Sequence, residues 1–141
     1  IGNNSGEKEL LEKKIVKANL HNKITLLSGL TDNEVCCAYK LCYLFIMPSI
    51  YEGFGIPILE AMASQRPFVL SDNAVFREIT QDQSIYFNSE DIEDIANTIE
   101  IGLTSNNERE RIVKYGSKRI DDFSFKKIAE KMAILYRKIN D

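Results

Sequence analysis

The fold is decided by Ser49-Ile50-Tyr51-Glu52-Gly53-Phe54-Gly55-Ile56-Pro57-Ile58-Leu59-Glu60-Ala61-Met62-Ala63. The apolar run just before this stretch, residues 43–47, predicts a fully buried strand. Pro57 lies where a first helical residue is expected, because proline needs no amide hydrogen and its fixed φ suits a helix start. The predicted order is strand, glycine-bearing loop and helix. Such a junction can bind anions, since free amides lie there at the positive end of the helix dipole.

The rest of the chain alternates between predicted strands and predicted helices. This alternation predicts an α/β fold, with right-handed crossovers in a parallel sheet and helices on both faces. Short apolar runs predict further strands at residues 23–27, 68–70 and 84–87. Residues 1–2 resemble the end of another strand. Apolar spacing of three and four, together with capping boxes, predicts helices in residues 10–20, from Thr31 to about Leu41, from Asp91, after Ser105, and from Ser124 to near Tyr136.

The last predicted helix is strongly amphipathic. Apolar side chains such as Phe125, Ile128 and Met132 recur on one face, and lysines such as Lys126 and Lys131 occupy the other. Two interpretations remain open for the apolar face. It packs on the sheet of its own domain, or it is left uncovered for another domain.

Composition limits the class of protein. With 141 residues, 44% of them hydrophobic and 28% charged, the chain is long enough for one globular domain. A net charge of −3 without a basic stripe argues against a nucleic-acid partner. The sequence has no apolar run of the roughly 20 residues that a membrane-spanning helix needs, and no secretory leader. We expect a soluble, cytoplasmic protein.

Cysteine and histidine positions predict neither a disulfide framework nor a metal site. The three cysteines, Cys36, Cys37 and Cys42, are odd in number and lack metal-ligand spacing with His21, the one histidine. We therefore expect buried, reduced thiols, a surface histidine and no bound metal.

The motif stretch resembles the E-x7-E signature of family 4 retaining glycosyltransferases, with Glu52 and Glu60 as its two acids. The likeness continues through residues 67–72, 76–79 and 123–125, so it covers nearly the whole chain. It implies the C-terminal, donor-binding half of a GT-B glycosyltransferase, in which two Rossmann-like domains face each other across a cleft. On this resemblance, residues 1–141 form a nucleotide-sugar-binding domain that is truncated at its N-terminus. The acceptor domain and the basic pair that holds the diphosphate would then be missing, and the isolated chain would be inactive.

The resemblance assigns roles to the motif residues. Glu52 would be catalytic, facing the donor sugar and opposing the positive charge that develops on its ring. Glu60 would accept hydrogen bonds from the ribose of the donor. A simpler explanation also exists, because the helix dipole favours acids near a helix N-terminus whether or not a ligand binds. Phe54 could flank a base or sugar, or pack beneath the turn. The donor-binding set predicted in this way is Gly53, Phe54, Gly55, Ile56 and Glu60.

Two residues beyond the motif are further candidates for the donor site. Arg77 could reach a phosphate of the donor, and Glu78 lies where the family places a residue near the donor. A surface salt bridge explains Glu78 equally well.

Asp72 raises a rival function. It follows Gly53 by about twenty residues, which is where a dinucleotide-binding fold places its ribose acid. An NAD-binding domain of an oxidoreductase is therefore an alternative. It fits poorly, because Ile58 stands where that motif has its third glycine and because Glu60 is left without a role.

The function implied by the resemblance is transfer of a hexose from a UDP- or GDP-hexose to a glycan or lipid acceptor, with retention of configuration. No cofactor or metal is expected, the acceptor would bind through the missing N-terminal domain, and the intact enzyme could touch a membrane peripherally. The alternative in another class is a noncatalytic nucleotide-sugar-binding module. The base, the hexose and the acceptor stay open at this level.

Overall fold

The computed structural model describes residues 7–140, which belong to two units, one ending at Cys37 and the other starting at Ala38. The elements in chain order are α1 (Lys8–Lys17), α2 (Asp32–Leu41), β1 (Phe45–Met47), α3 (Ile56–Ala63), β2 (Phe68–Ser71), α4 (Ala74–Thr80), β3 (Ile85–Phe87), α5 (Ile92–Thr104), α6 (Asn106–Arg119), a 3₁₀ helix (Ile120–Phe123) and α7 (Phe125–Asn140).

The second unit is built on a parallel sheet of three strands in the order β1, β2, β3. Phe45 pairs with Phe68 and Leu70 pairs with Tyr86. The carboxyl ends of the strands therefore lie side by side at one edge of the sheet. The predicted α/β class with a parallel sheet is confirmed.

Side chains of β2 show that helices cover both faces of this sheet. Phe68 and Leu70 pack into the core cluster that includes Ile58 and Met62 of α3. Val69 points the other way, because a Cβ atom on Gly102 of α5 would lie 3.0 Å from its Cγ1. The absence of a side chain at Gly102 lets α5 approach that face closely. The prediction of helices on both faces is confirmed.

The starts of α5 and α6 in the second unit, and of α2, follow the capping rules. The Asp91 side chain accepts hydrogen bonds from the N–H groups of Glu93 and Asp94, and the Ser105 side chain accepts one from Glu108. In the first unit, the Thr31 N–H donates to Glu34 over 2.8 Å, and the Glu34 N–H donates back to the Thr31 hydroxyl over 3.4 Å. The backbone hydrogen bond from Thr31 lowers the pKa of the Glu34 carboxyl.

One strand prediction was wrong and a second was wrong in part. Residues 23–27 do not form a strand; the N–H groups of Lys23 and Ile24 instead donate to the carbonyl of Leu20, at 2.9 and 3.0 Å, in a turn. No strand of the first unit, within the described residues, lies beside this segment to pair with it. The strand at residues 43–47 is shorter than predicted and is not fully buried, since β1 is an edge strand of the described sheet and Ile46 is 37% exposed. The strand predicted at residues 1–2 lies outside the described residues.

Thiol burial differs from expectation, and the exposure of α7 bears on the two interpretations that were open for its apolar face. Cys36, Cys37 and Cys42 are free thiols, but Cys36 and Cys37 are exposed and only Cys42 is partly buried. The side chains from Phe125 to Ile139 are all exposed, so α7 does not pack its apolar face on the sheet. His21 is exposed, as expected.

Candidate functional site

The motif loop, residues 48–55, lies at the carboxyl edge of the parallel sheet. Its Ser49 carbonyl accepts hydrogen bonds from the Ser71 hydroxyl, at the end of β2, and from Nδ2 of Asn73 over 3.2 Å. Asn73 also caps α4, because its Oδ1 accepts from the Phe76 N–H over 2.9 Å. The loop is thus tied to the neighbouring strand, at the kind of crevice where open parallel sheets bind ligands. Sequence reasoning missed Ser71 and Asn73 as supports of the loop.

Gly55 is the residue from which α3 starts. Its φ of +84° is left-handed, and it precedes the helix without a side-chain cap. A Cβ atom here would lie 3.2 Å from both Ile79 Cδ1 and Phe76 Cε1. The fold therefore requires glycine at this position, for conformation and for space. Pro57 is the second helical residue of α3, one position later than predicted.

Gly53 has different surroundings, although it is only two residues away. It is exposed, its φ is not left-handed, and a Cβ atom would meet no protein atom within 4 Å. Nothing in the described protein therefore requires glycine at this position. A bare Cα with open space in front of it lets a ligand approach the backbone.

The amides from Gly53 to Ile56 donate no hydrogen bond within the described residues. Pro57 has no N–H, and the Ile58 N–H donates to the Gly55 carbonyl over 3.0 Å. The first turn of α3 therefore presents donors at the positive end of its dipole, which suits an anion.

The two acids of the motif lie on either side of these amides in the chain. Glu52 is half-buried and forms no hydrogen bond with another described residue. Glu60, in the second turn of α3, is exposed, and its Oε2 accepts a hydrogen bond from the Tyr39 hydroxyl over 2.9 Å. Tyr39 lies on α2 and was not among the predicted site residues. No feature of its sequence context signals a contact with a residue 21 positions later.

Phe54 and Ile56 are the apolar members of the predicted donor-binding set. Phe54 is 49% exposed, and its ring meets that of Phe123 edge to face, with centroids 6.1 Å apart. Ile56 is 61% exposed. Phe54 therefore packs in part against the protein and presents the rest of its ring to solvent.

Arg77 is held by carboxylates. Its Nε and Nη2 donate to the two oxygens of Asp72 over 2.6 and 2.7 Å, and Nη1 donates to Asp82 over 2.6 Å. The guanidinium also lies 4.4 Å from the centre of the Tyr86 ring. The hydrogen bond from Arg77 lowers the pKa of Asp72. Three of the five N–H donors of the guanidinium are thus taken by carboxylates, which leaves two for a phosphate.

The Glu78 side chain is exposed and forms no ion pair with any cation among the described residues. The surface salt bridge that could explain this residue is therefore absent from the described part of the protein.

The geometry also disfavours the dinucleotide-binding alternative. Ile58, at the position of the third glycine, is fully buried and would lie 3.3 Å from a Cβ on Gly55. A large side chain therefore fills the space that a close helix approach would need. Asp72, the expected ribose acid, is already paired with Arg77.

Neither a metal-binding group of side chains nor a membrane-spanning helix is found among the described residues. No group of three or more His, Cys, Asp or Glu side chains in residues 7–140 is arranged to hold a metal ion. None of the helices in the same residues combines the length and the apolar character needed to cross a membrane.

Comparison with known proteins gives sequence relatives along most of the chain. The "O-antigen chain mannosyltransferase RfbU" of Salmonella typhimurium is 41% identical over 81 residues, which are 57% of this chain and 23% of the relative. The "MMP alpha-(1->4)-mannosyltransferase" of Mycolicibacterium hassiacum is 28% identical over 131 residues, 90% of this chain and 32% of the relative. The chain thus spans only a minor part of the length of the relatives it matches.

Solved structures share the fold. A sucrose-phosphate synthase from Thermosynechococcus elongatus superposes with a TM-score of 0.83 at 23% identity, over 98% of this chain and 37% of that protein. The C-terminal domain of a glycosyl transferase group 1 family protein, LpcC, from Francisella tularensis superposes with a TM-score of 0.71 at 25% identity, over 83% of this chain and 62% of that one. The fold is that of the C-terminal half of a GT-B glycosyltransferase.

The profile of one family covers most of the sequence, including the whole motif loop and both acids. It is described as "Glycosyl transferases group 1", and it matches residues 1–119. The chain therefore belongs to the glycosyl transferases group 1 family.

Proposed function

We propose that this chain binds the nucleotide diphosphate sugar that serves as donor in a retaining hexosyl transfer. The observation that carries the proposal is the set of unused amides from Gly53 to Ile56, next to a glycine that the fold does not require. An anionic ligand would give these donors partners and would occupy the open space at Gly53. The diphosphate of a nucleotide sugar has the charge and the acceptor oxygens for this position.

The reaction breaks the bond between the anomeric carbon and the diphosphate and forms a bond from that carbon to an acceptor hydroxyl, which gives up its proton. Negative charge grows on the leaving diphosphate while positive charge grows on the sugar ring. The amides and the dipole of α3 would stabilise the negative charge, and Glu52 would stabilise the positive charge. Glu52 suits this role because it is half-buried and forms no hydrogen bond with another described residue.

Glu60 would accept hydrogen bonds from the ribose hydroxyls of the donor. One of its oxygens accepts from Tyr39, which leaves the other for a ligand. Arg77 and Glu78 stay secondary candidates, because Arg77 already binds two carboxylates and the exposed Glu78 contacts no cation of the described protein. The proposed site needs neither cofactor nor metal, since amides and the helix dipole face the diphosphate.

Names of the relatives guide the choice of substrate. Several are called mannosyltransferases, with O-antigen or lipopolysaccharide core in their names, which favours mannose as the hexose and a glycan or lipid-linked glycan as the acceptor. The transfer would retain configuration, as the family 4 signature implies. We propose that the chain works in the cytoplasm with a second, acceptor-binding domain. The 141 residues alone would then not catalyse the transfer.

Ligand-induced stabilisation tests the donor assignment. Thermal unfolding of the intact protein is followed with GDP, UDP, GDP-mannose and UDP-glucose, because a ligand at 100 times its Kd adds about 2.7 kcal/mol to stability. We expect either the guanine or the uracil compounds to raise the unfolding midpoint. The matching nucleoside, which lacks phosphates, should leave the midpoint unchanged. A flat response to all four compounds would contradict the proposal. Binding without any transfer to glycan acceptors would support the noncatalytic alternative.

A further inference from the structure

The contact between Tyr39 and Glu60 is an interaction of the site that no sequence motif accounts for. The hydroxyl of Tyr39 donates to Oε2 of Glu60 over 2.9 Å. It is the one hydrogen bond that the Glu60 side chain makes with the described residues. Without it, an exposed glutamate on a helix would sample several rotamers.

Tyr39 is itself well fixed. It is half-buried, and its ring packs on that of Phe45 in β1 with centroids 5.4 Å apart. A tyrosine hydroxyl is protonated at neutral pH and can therefore donate, and burial, followed by the hydrogen bond to Glu60, raises the pKa of Tyr39 further. Three elements, α2, β1 and α3, therefore hold one carboxylate oxygen in place.

We propose that Tyr39 is the positioning residue that orients Glu60 toward the ribose of the nucleotide donor. This inference rests on the proposed function, which assigns the ribose contact to Glu60. The Tyr39 hydroxyl occupies Oε2, and a carboxylate has lone pairs for further donors on both oxygens. The ribose hydroxyls would bind the remaining positions of a side chain that is already ordered, so less conformational freedom is lost when the ligand binds.

The test compares nucleotides with and without ribose hydroxyls. Dissociation constants of GDP and UDP and of their 2′,3′-dideoxy forms are measured by titration calorimetry on the intact wild-type protein and on Tyr39→Phe and Glu60→Ala. Tyr43→Phe is the matched control, because Tyr43 lies nearby in sequence, between α2 and β1, and its hydroxyl forms no hydrogen bond within the described residues. For the nucleotide that binds, the wild type should prefer the ribose form by about tenfold or more, as expected for a hydrogen bond to a charged acceptor.

The predicted result is that Tyr39→Phe and Glu60→Ala both reduce this preference to about twofold or less, while Tyr43→Phe keeps it. A merely structural role of Tyr39 would weaken the binding of ribose and dideoxy forms equally. Equal weakening of both forms would overturn the positioning role alone. A preference that is unchanged in Tyr39→Phe but lost in Glu60→Ala would do the same. Tighter ribose binding by Tyr39→Phe would also overturn it, because it would mean that the tyrosine competes with the ligand. A preference that Glu60→Ala preserves would instead overturn the ribose role of Glu60, on which the inference rests.

Discussion

Gly55 lies so close to Phe76 that a Cβ atom on Gly55 would be 3.2 Å from Cε1 of that ring. Its backbone is also left-handed, with a φ of +84°. Gly55→Ala therefore combines backbone strain with overpacking. We expect it to lower the free energy of unfolding by about 2 kcal/mol. Urea titration measures this as a lower midpoint at constant slope. An unchanged midpoint would show that the start of α3 adapts to a side chain.

Gly53→Ala should leave stability nearly unchanged but weaken donor binding. Because a Cβ atom at Gly53 meets no protein atom within 4 Å and φ is not left-handed, we expect the free energy of unfolding to stay within about 0.5 kcal/mol of wild type. The added methyl would, however, stand where the donor is proposed to approach. We expect the affinity for the nucleotide sugar to fall about tenfold or more, which costs about 1.4 kcal/mol of binding free energy. Wild-type affinity in Gly53→Ala would mean that ligand does not approach the loop at this point.

Substitutions of Asn73 can test its two roles independently, as the cap of α4 and as a support of the motif loop. Its Oδ1 caps the helix, and its Nδ2 donates to the Ser49 carbonyl. Asn73→Asp keeps the acceptor for the cap but loses the donor to Ser49, whereas Asn73→Ala loses both. We expect Asn73→Ala to cost about 1 kcal/mol of stability, and Asn73→Asp to cost less. Both should weaken nucleotide binding, measured by calorimetry. Wild-type binding by Asn73→Asp would show that the loop keeps its position without this hydrogen bond.

Much of this fold follows from local sequence, because apolar periodicity and caps act over a few residues. The caps at Asp91 and Ser105 and the order of strand, loop and helix at Gly55 were predictable in this way. Residues 23–27 were not, since their apolar character is typical of a strand but a strand also needs a partner, which is a tertiary property.

The site was predictable to a similar extent. Glu52 and Glu60 were found because their spacing belongs to one motif. Tyr39 and Ser71 were not, because each reaches the site through packing between elements that lie more than twenty residues apart in sequence. The pairing of Arg77 with two carboxylates could not be inferred either, as it depends on how the end of β2 meets α4.

The ion pair of Asp72 with Arg77 predicts a pH dependence of stability. The hydrogen bond from Arg77 holds the pKa of Asp72 below its usual value of about 3.9. A depressed carboxyl pKa contributes stability that is present above the unfolded value and is lost as the pH falls through the folded value. We expect wild type to unfold at a higher temperature than Asp72→Asn near neutral pH, and the gap between them to narrow below about pH 4. The effect should be modest, because the side chains of Arg77 and Asp72 are 42% and 47% exposed and water screens their charges. A gap that is constant from neutral to acid pH would contradict this role of the pair.

Glu52→Gln tests the proposed electrostatic role of the first acid. The amide has nearly the same shape and can still accept a hydrogen bond, but it carries no charge to oppose the cationic sugar ring. We expect the kcat of the intact enzyme to fall about 10²-fold or more while the affinity for donor changes little. The matched control is Glu90→Gln, which removes one carboxylate from an exposed residue whose side chain makes no hydrogen bond or ion pair among the described residues. Initial rates over a range of donor concentrations separate kcat from KM. An equal fall in kcat in both variants would mean that the effect comes from the change in net charge. An unchanged kcat in Glu52→Gln would contradict the proposed role of Glu52.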